Sequence, residues 1–195
     1  EPLPFQVSFP INEKNAKVYG LEFNVQHNFG ESGYGVILNY TKPWSNVGYD
    51  PIVTTKDCEP EEEAEADDDA VCLVEQFALS GLSESANLIA FYDKDGMSLR
   101  FAYNWRDDFF GGNGQDQGAV YDSKGRTIGA NPNYTAAYGQ LDMSASYEVN
   151  DNLTLFMDGL NVTDSYNRGY GRVEMQTLGV TQTGPRYTLG FRYSL

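Results

Sequence analysis

The sequence lacks any long apolar run. No stretch of about 18 consecutive apolar residues occurs among its 195 residues, so a membrane-spanning helix is excluded. Long segments of helical period are also missing, whereas aromatic residues are abundant, with 14 Tyr and 11 Phe. The composition therefore favours β structure. It leaves a membrane location open, because the strands of a transmembrane barrel alternate and give no strong hydropathy peak.

Basic residues are few. Lys and Arg number 13 against 28 Asp and Glu, and the formal net charge of −15 argues against nucleic acid as a partner. Nine of the acidic residues lie between Asp57 and Asp69, and a block of this kind is usually a solvated loop. Asp67, Asp68 and Asp69 offer oxygen ligands for Ca²⁺, but the block has no spaced loop motif. We expect no cofactor and keep Ca²⁺ as the alternative.

Histidine and cysteine are scarce, with one His and two Cys. His27 is the single histidine and continues the apolar row of Phe23 and Val25, so we expect an interfacial side chain and no catalytic triad. Cys58 and Cys72 flank the acidic block. An even pair closing a short polar loop predicts a disulfide, and with it an oxidising compartment such as the periplasm or cell surface.

The last ten residues alternate strictly. Tyr187, Leu189, Phe191, Tyr193 and Leu195 form one apolar face, and the opposite face carries two arginines. A period of two is the signature of a β-strand. An aromatic face opposite a charged one is typical of a transmembrane β-barrel strand, with the apolar side toward lipid and the polar side toward the lumen.

Similar alternation recurs along the chain. It predicts strands over 17–29, 34–41, 86–92, 97–106, 138–149 and 153–162, with a strand end at 5–9; the orientation of 86–92 stays open because Leu88 and Ile89 are both apolar. Tight turns at 30–33, 93–96 and 150–152 alternate with long loops at 42–85, 107–137 and 163–185. Short periplasmic turns and long extracellular loops are the arrangement of an outer-membrane barrel, so we predict an all-β, antiparallel barrel segment.

Four segments together carry a family resemblance, and they are 16–22 (AKVYGLE), 97–106 (MSLRFAYNWR), 139–144 (GQLDMS) and 161–164 (NVTD). In order and spacing they resemble the C-terminal part of TonB-dependent transporters of Gram-negative outer membranes. The chain end resembles the signal read by the barrel-assembly machinery, here Thr188, Gly190, Tyr193 and Leu195. The family usually ends in Phe, so Leu195 is a departure.

The resemblance implies that residues 1–195 supply seven full strands and part of an eighth to a barrel of about 22 strands. The plug and the TonB-contacting motif would then lie N-terminal to this chain. The expected partners are that remainder of the receptor, the TonB complex, outer-membrane lipid and lipopolysaccharide, and a small-molecule or oligosaccharide substrate. The expected function is uptake of a scarce nutrient across the bacterial outer membrane, without enzymatic activity. The chain would be a cleaved product, one piece of a longer chain or half of a split receptor.

Aromatic side chains in the predicted loops are the candidate ligand contacts. Tyr49, Tyr121, Tyr134 and Tyr170 could stack on a sugar or an aromatic siderophore, whereas Trp44 and Tyr166 fit an aromatic girdle at the lipid interface. Five arginines could line the lumen or face an anionic substrate, namely Arg100, Arg106, Arg172, Arg186 and Arg192. We expect them instead to pair with Glu22, Asp142, Glu148 and the plug. Two other readings remain: a free-standing barrel of about eight strands with a structural or adhesive role, and a soluble carbohydrate-binding β-sandwich.

The cysteine pair gives a first prediction. Mass spectrometry without reductant should show Cys58 cross-linked to Cys72. Closing a loop of about 15 residues stabilises a fold by roughly 3 kcal/mol, through the entropy that the unfolded chain loses. Two thiols that alkylate without reductant would contradict the disulfide.

Overall fold

A computed structural model gives the fold. It describes residues 15–50, 55–57, 71–73, 77–113, 120–121, 127–129 and 132–194. Cys58, Asp67, Asp68, Asp69, Leu195 and the predicted strand end at 5–9 lie outside these ranges, as do the side chains of Cys72 and Tyr121. The predicted disulfide, the calcium alternative and the last residue of the assembly signal therefore stay predictions.

The described residues form fifteen strands and one short 3₁₀ turn at Gly30–Ser32. The strands are β1 (Val18–Asn28), β2 (Tyr34–Ser45), β3 (Thr55–Asp57), β4 (Val71–Leu73), β5 (Ser85–Lys94), β6 (Met97–Arg106), β7 (Phe109–Asn113), β8 (Val120–Tyr121), β9 (Thr127–Gly129), β10 (Pro132–Thr135), β11 (Tyr138–Asn150), β12 (Leu153–Leu160), β13 (Asn167–Tyr170), β14 (Thr177–Thr181) and β15 (Arg186–Tyr193). Seven of them make one antiparallel sheet in the order β1-β2-β5-β6-β11-β12-β15. The prediction of an all-β barrel segment is confirmed.

The connections of this sheet differ at its two ends. Short turns join β1 to β2, β5 to β6 and β11 to β12, and the three long connections all leave from the opposite end. Strand β2 runs four residues beyond the predicted strand, because the backbone at Lys17 and Asn46 stays hydrogen-bonded and Trp44 stacks on Tyr19 at 5.9 Å. The first long connection therefore begins after Ser45, and all three long connections contain short strands.

The register aligns the side chains of neighbouring strands in rows of one kind. One apolar row crosses five strands through Val25, Leu38, Leu88, Tyr103 and Leu141. The next row, on the opposite face, is made only of amides: Asn24, Asn39, Asn87, Asn104 and Gln140. The orientation of β5, which the sequence left open, is settled by this register, since Leu88 joins the apolar row and Ile89 lies on the polar face.

The apolar face has no protein packed over it. Leu189 is 77% exposed and Phe191 is 71% exposed, and Ile89 and Tyr170 are the only buried large apolar residues in the part of the chain that the structure describes. A water-soluble sheet buries one face in a core, and an open apolar face of this extent marks an interaction surface. Such a face fits contact with lipid hydrocarbon.

Lys42 marks the border of the apolar face at the end of the sheet from which the long connections leave. It continues the row of Tyr40 on β2, and its ammonium group pairs with Glu84, to which the Tyr40 hydroxyl also donates. The same ammonium lies 5.7 Å from the ring of Trp44. Hydrogen bonds from Lys42 and Tyr40 lower the pKa of Glu84. An amphipathic lysine beside Trp and Tyr is what a strand carries where hydrocarbon gives way to polar surroundings.

The two outermost strands of the sheet each have a free edge. β1 pairs with β2 and β15 pairs with β12, and no pairing joins β1 to β15 within the described ranges. The sheet is therefore an open segment of a barrel wall.

Three strand glycines are each covered by an aromatic ring from the neighbouring strand. A Cβ at Gly190 would lie 2.3 Å from Cζ of Phe156, one at Gly35 would lie 2.1 Å from Cζ of Phe91, and one at Gly139 would meet the hydroxyl of Tyr103. A ring that lies across a strand glycine shields its backbone and fixes the register. Gly190 belongs to the predicted assembly signal. This packing explains why that position needs a residue without a side chain.

We therefore expect Gly190→Val to displace the Phe156 ring and to destabilise the sheet by about 1–3 kcal/mol, the usual range for overpacking. Urea unfolding of the complete protein in detergent measures the change. Gly48→Val is the matched control, because nothing lies within 4 Å of a Cβ placed there. Equal unfolding midpoints for the two variants would contradict the ring contact.

Candidate functional site

A second sheet joins two of the long connections outside the main sheet. It has the order β14-β13-β10-β7, in which β7 and β10 come from the connection between β6 and β11. The other two strands come from the connection between β12 and β15. Tyr134 is the central residue, since it lies opposite Phe110 on one side and opposite Tyr170 on the other. The two outer connections thus form one body.

Four aromatic rings stack on this small sheet, and we call Tyr49, Phe110, Tyr134 and Tyr170 the aromatic cluster. Tyr49 stacks on Phe110 at 4.8 Å with an interplanar angle of 10°. Phe110 meets Tyr134 edge-on at 5.6 Å, and Tyr134 stacks on Tyr170 at 5.2 Å. Tyr49 belongs to the connection between β2 and β5, so the cluster ties all three long connections together.

Polar contacts fix the orientation of the cluster. The Tyr170 hydroxyl donates to a carboxylate oxygen of Asp108, and the Arg168 guanidinium lies 5.5 Å from the Tyr170 ring. The Tyr134 hydroxyl donates to the carbonyl oxygen of Tyr49 at 3.4 Å. Tyr170 is 6% exposed, and burial together with the Asp108 hydrogen bond raises its pKa well above the usual range. Burial also raises the pKa of Tyr134.

The structure brings together three of the four tyrosines that the sequence proposed as ligand contacts. Tyr49 and Tyr134 keep part of their surface exposed, whereas Tyr170 is buried and supports the other rings. The backbone of Tyr121 lies in β8, which pairs only with β9 among the described residues. Phe110 was missed. Its local signal is the pair Phe109–Phe110 directly after Asp107–Asp108, within the predicted loop 107–137.

A polar groove of about 600 Å³ lies on the opposite face of the main sheet from the apolar rows. Its charged lining comprises Arg100, Asp142, Asp158 and Arg186. Within the ranges that the structure describes, Arg100, Arg186 and Arg192 make no ion pair, so their expected pairing with Asp142 and Glu148 is not observed there. Arg106 instead donates to Ser83 Oγ at 2.9 Å and to the Gly81 carbonyl at 2.6 Å.

No group of three or more His, Cys, Asp or Glu side chains suited to a metal ion occurs in the described part of the chain. Within the same ranges no helix is long and apolar enough to cross a membrane, a finding that does not bear on strands. At the first long connection, β3 pairs with β4 so that Asp57 and Val71, the residues before the two cysteines, are opposite each other.

Comparison with known proteins gives the family. The family model described as "TonB dependent receptor-like, beta-barrel" matches residues 2–162. The chain belongs to this family. The match covers six of the seven strands of the main sheet, and β15 continues that sheet beyond the matched residues. No curated protein and no solved structure matches. The family is one of outer-membrane receptors for TonB-dependent transport, and the amphipathic sheet has the form of its barrel wall.

Asn161 explains one sequence motif of this TonB-dependent receptor barrel. It is 4% exposed and adopts a left-handed backbone with a φ of 53°, directly after β12. Its amide group donates to the Ser165 carbonyl and accepts from the Ser165 N–H, while its own N–H donates to Asp142 at 2.9 Å. Asn tolerates this backbone conformation and supplies both partners at once. The side chain therefore fixes where the strand ends and the outer connection begins.

The Tyr170 contact in the receptor barrel gives a prediction. Because the folded-state pKa of Tyr170 is raised, the cluster should be fully stable below about pH 10 and lose stability as pH rises above that value. Tyr170→Phe should remove the hydrogen bond to Asp108, destabilise the outer loops by about 1 kcal/mol and reduce this alkaline dependence to the part that Tyr134 contributes. Hydrogen exchange of 167–170 at neutral and alkaline pH measures both effects, and an unchanged pH dependence in the variant would contradict the assignment.

Proposed function

We propose that this chain forms the wall and three outer loops of an active transporter in the bacterial outer membrane. The complete receptor would bind a scarce nutrient, such as a siderophore or an oligosaccharide, at the outer loops. Energy transmitted by TonB would act on a plug supplied by the rest of the receptor and open a path through the barrel. The chain itself would make and break no covalent bond of the substrate.

The open edges of the main sheet carry this proposal. In hydrocarbon every backbone N–H and C=O needs a partner, because no water can satisfy it, and only closed barrels and helices meet that need. The edges of β1 and β15 do not pair with each other in the described residues. Both edges therefore require further strands, and the remainder of a receptor barrel supplies them.

The two faces support the same placement. The apolar rows, bounded outside by Trp44, Tyr19 and Lys42, would face lipid and the acyl chains of lipopolysaccharide. The groove with Arg100 and Arg186, and a second depression that Arg192 lines on the same face, would face the lumen. Charges without an ion-pair partner in the described residues suit a lumen filled with water and a polar plug surface, since a dry core would not accept them.

The aromatic cluster is our proposed nutrient contact. It stands outside the main sheet where the three long connections meet, and the rings of Tyr49, Phe110 and Tyr134 are partly exposed. Flat aromatic rings stack on sugar rings and on aromatic siderophores. The rings are already stacked, and Asp108 holds Tyr170 in place. Little conformational entropy would therefore be lost when a ligand binds.

Two other functions fit less well. A free-standing barrel of about eight strands would join β1 to β15 directly or through one strand, and the described sheet shows no such closure. A soluble β-sandwich would cover the apolar face with a second sheet, whereas Leu21, Leu189 and Phe191 are largely exposed.

The test is uptake by cells that carry the complete receptor. Two labelled probes are used, a ferric catecholate siderophore and a malto-oligosaccharide. Deleting the gene should abolish uptake of the probe that the receptor transports. Tyr49→Ala should then raise the half-saturating concentration by about twofold to tenfold, the equivalent of one aromatic stacking contact of about 0.5–1.5 kcal/mol, with the maximal rate unchanged.

Tyr166→Ala is the matched control for Tyr49→Ala. Tyr166 is an exposed tyrosine of the third long connection that makes no ring contact with the aromatic cluster. An equal effect of both substitutions would count against a specific site at the cluster. Undiminished uptake of both probes after deletion would count against transport of these two classes.

A further inference from the structure

The hairpin of β13 and β14 carries an exposed apolar patch. Met175 is 92% exposed, Val180 is 56% exposed and Leu178 is 51% exposed, and Val173 extends the patch at the hairpin tip. The hairpin lies outside the main sheet, in the third long connection, which the proposed function places in water. Several exposed apolar side chains gathered in one hairpin mark an interaction site.

The patch continues the face on which the aromatic cluster lies. Val180 is opposite Arg168, whose guanidinium lies over the ring of Tyr170, so Val180 is on the same face of the small sheet as that ring. Leu178 is the extra residue where the register shifts between Gly169 and Tyr170. One half of this face is covered by the stacked rings, and the half that ends at β14 is open.

The free edge of β14 is not protected by charge. Its residues are Thr177, Leu178, Gly179, Val180 and Thr181, and β14 pairs only with β13 within the described residues. Natural proteins usually guard an exposed edge with lysine, proline or a covering segment. Charge and proline are absent from β14, and the extra residue Leu178 interrupts its edge. The exposed apolar side chains beside that edge favour a covering segment as a further protection.

The order of the strands shows from which side that cover must come. The small sheet follows the main sheet: β7 continues from β6, β10 leads into β11, β13 continues from β12 and β14 leads into β15. The free edges of β14 and β15 therefore lie on the same side, separated in sequence only by residues 182–185. At the other side, the first long connection reaches Phe110 of β7 through Tyr49. Each outer loop thus packs on the loop of the neighbouring strands.

We propose that the patch of Val173, Met175, Leu178 and Val180 is covered by an apolar outer loop of the barrel strand that pairs with β15. That loop belongs to the part of the receptor supplied from outside these strands. The inference rests on the proposed function, because it needs a barrel strand beyond β15. It adds that the outer loops form a closed ring above the barrel wall. Each loop in this ring packs against the loop of the next strand pair, as Tyr49 packs against Phe110.

Thiol labelling of the complete receptor tests the proposal. Leu178→Cys and Val180→Cys, on intact cells, should react with a membrane-impermeant maleimide at least tenfold more slowly than Glu174→Cys. Glu174 is the matched control, because it lies in the same hairpin and its side chain is 77% exposed. The unsubstituted receptor, treated in the same way, gives the background from Cys58 and Cys72. Equal rates at 174, 178 and 180 would overturn the proposal.

The same variants, purified as monomeric receptor in detergent, identify the cover. Slow labelling that persists assigns the cover to the receptor itself, whereas fast labelling after purification assigns it to a separate protein or a second copy and overturns the proposal. Hydroxyl-radical footprinting of the unsubstituted monomer should likewise show Leu178 and Val180 protected, and full reactivity there would overturn it too. An exposed patch on a receptor that still transports would refute this inference and leave the proposed function intact.

Discussion

A strand that crosses hydrocarbon needs a hydrogen-bonded neighbour on each side, and the rest of this structure depends on that constraint. It explains why seven strands run antiparallel in unbroken register, why their outward face is apolar without a core behind it, and why few side chains are buried. It also makes the free edges of β1 and β15 the most informative feature of the chain. In water such edges are a liability, and in a bilayer they are not tolerated.

Outside the bilayer the same chain relies on ordinary packing. Water can satisfy the backbone of an outer loop, so the long connections need side-chain contacts to hold one shape. The aromatic cluster supplies them, with stacked rings drawn from all three connections and Asp108 fixing Tyr170. At the boundary between the two regions stand Lys42 with Glu84 and, at the end of β12, the turn held by Asn161. The Asn161 turn ends β12, and both sites make hydrogen bonds that lipid could not provide.

Much of the main sheet could be predicted from the sequence, because alternation is a strong local signal. The bounds of β6 agree with the predicted strand over 97–106, where each apolar residue alternates with a polar or small one. The orientation of β5 could not be predicted, since Leu88 and Ile89 break the alternation and only pairing with Leu38 and Tyr103 decides it. The amide row was equally hidden, because its members come from five strands and meet only through the register.

The candidate site could be predicted in part. Tyr49, Tyr134 and Tyr170 were singled out one by one for their residue type and loop position, but nothing local shows that they touch. The strands β7 and β13 are short and contain glycine, and they become strands only by pairing through β10, which the sequence places in another part of the loops. Such long-range pairing leaves no periodic trace.

The native mass of the protein extracted from outer membranes in detergent tests the central claim most directly. We predict a particle whose protein mass greatly exceeds the 21.7 kDa of this chain, with further barrel strands and a plug as a covalent continuation or as an associated chain. Mass spectrometry of the same particle would identify that additional sequence. A membrane-extracted particle containing about 22 kDa of protein and nothing more would contradict the account, because the edges of β1 and β15 would then have to be satisfied by this chain alone.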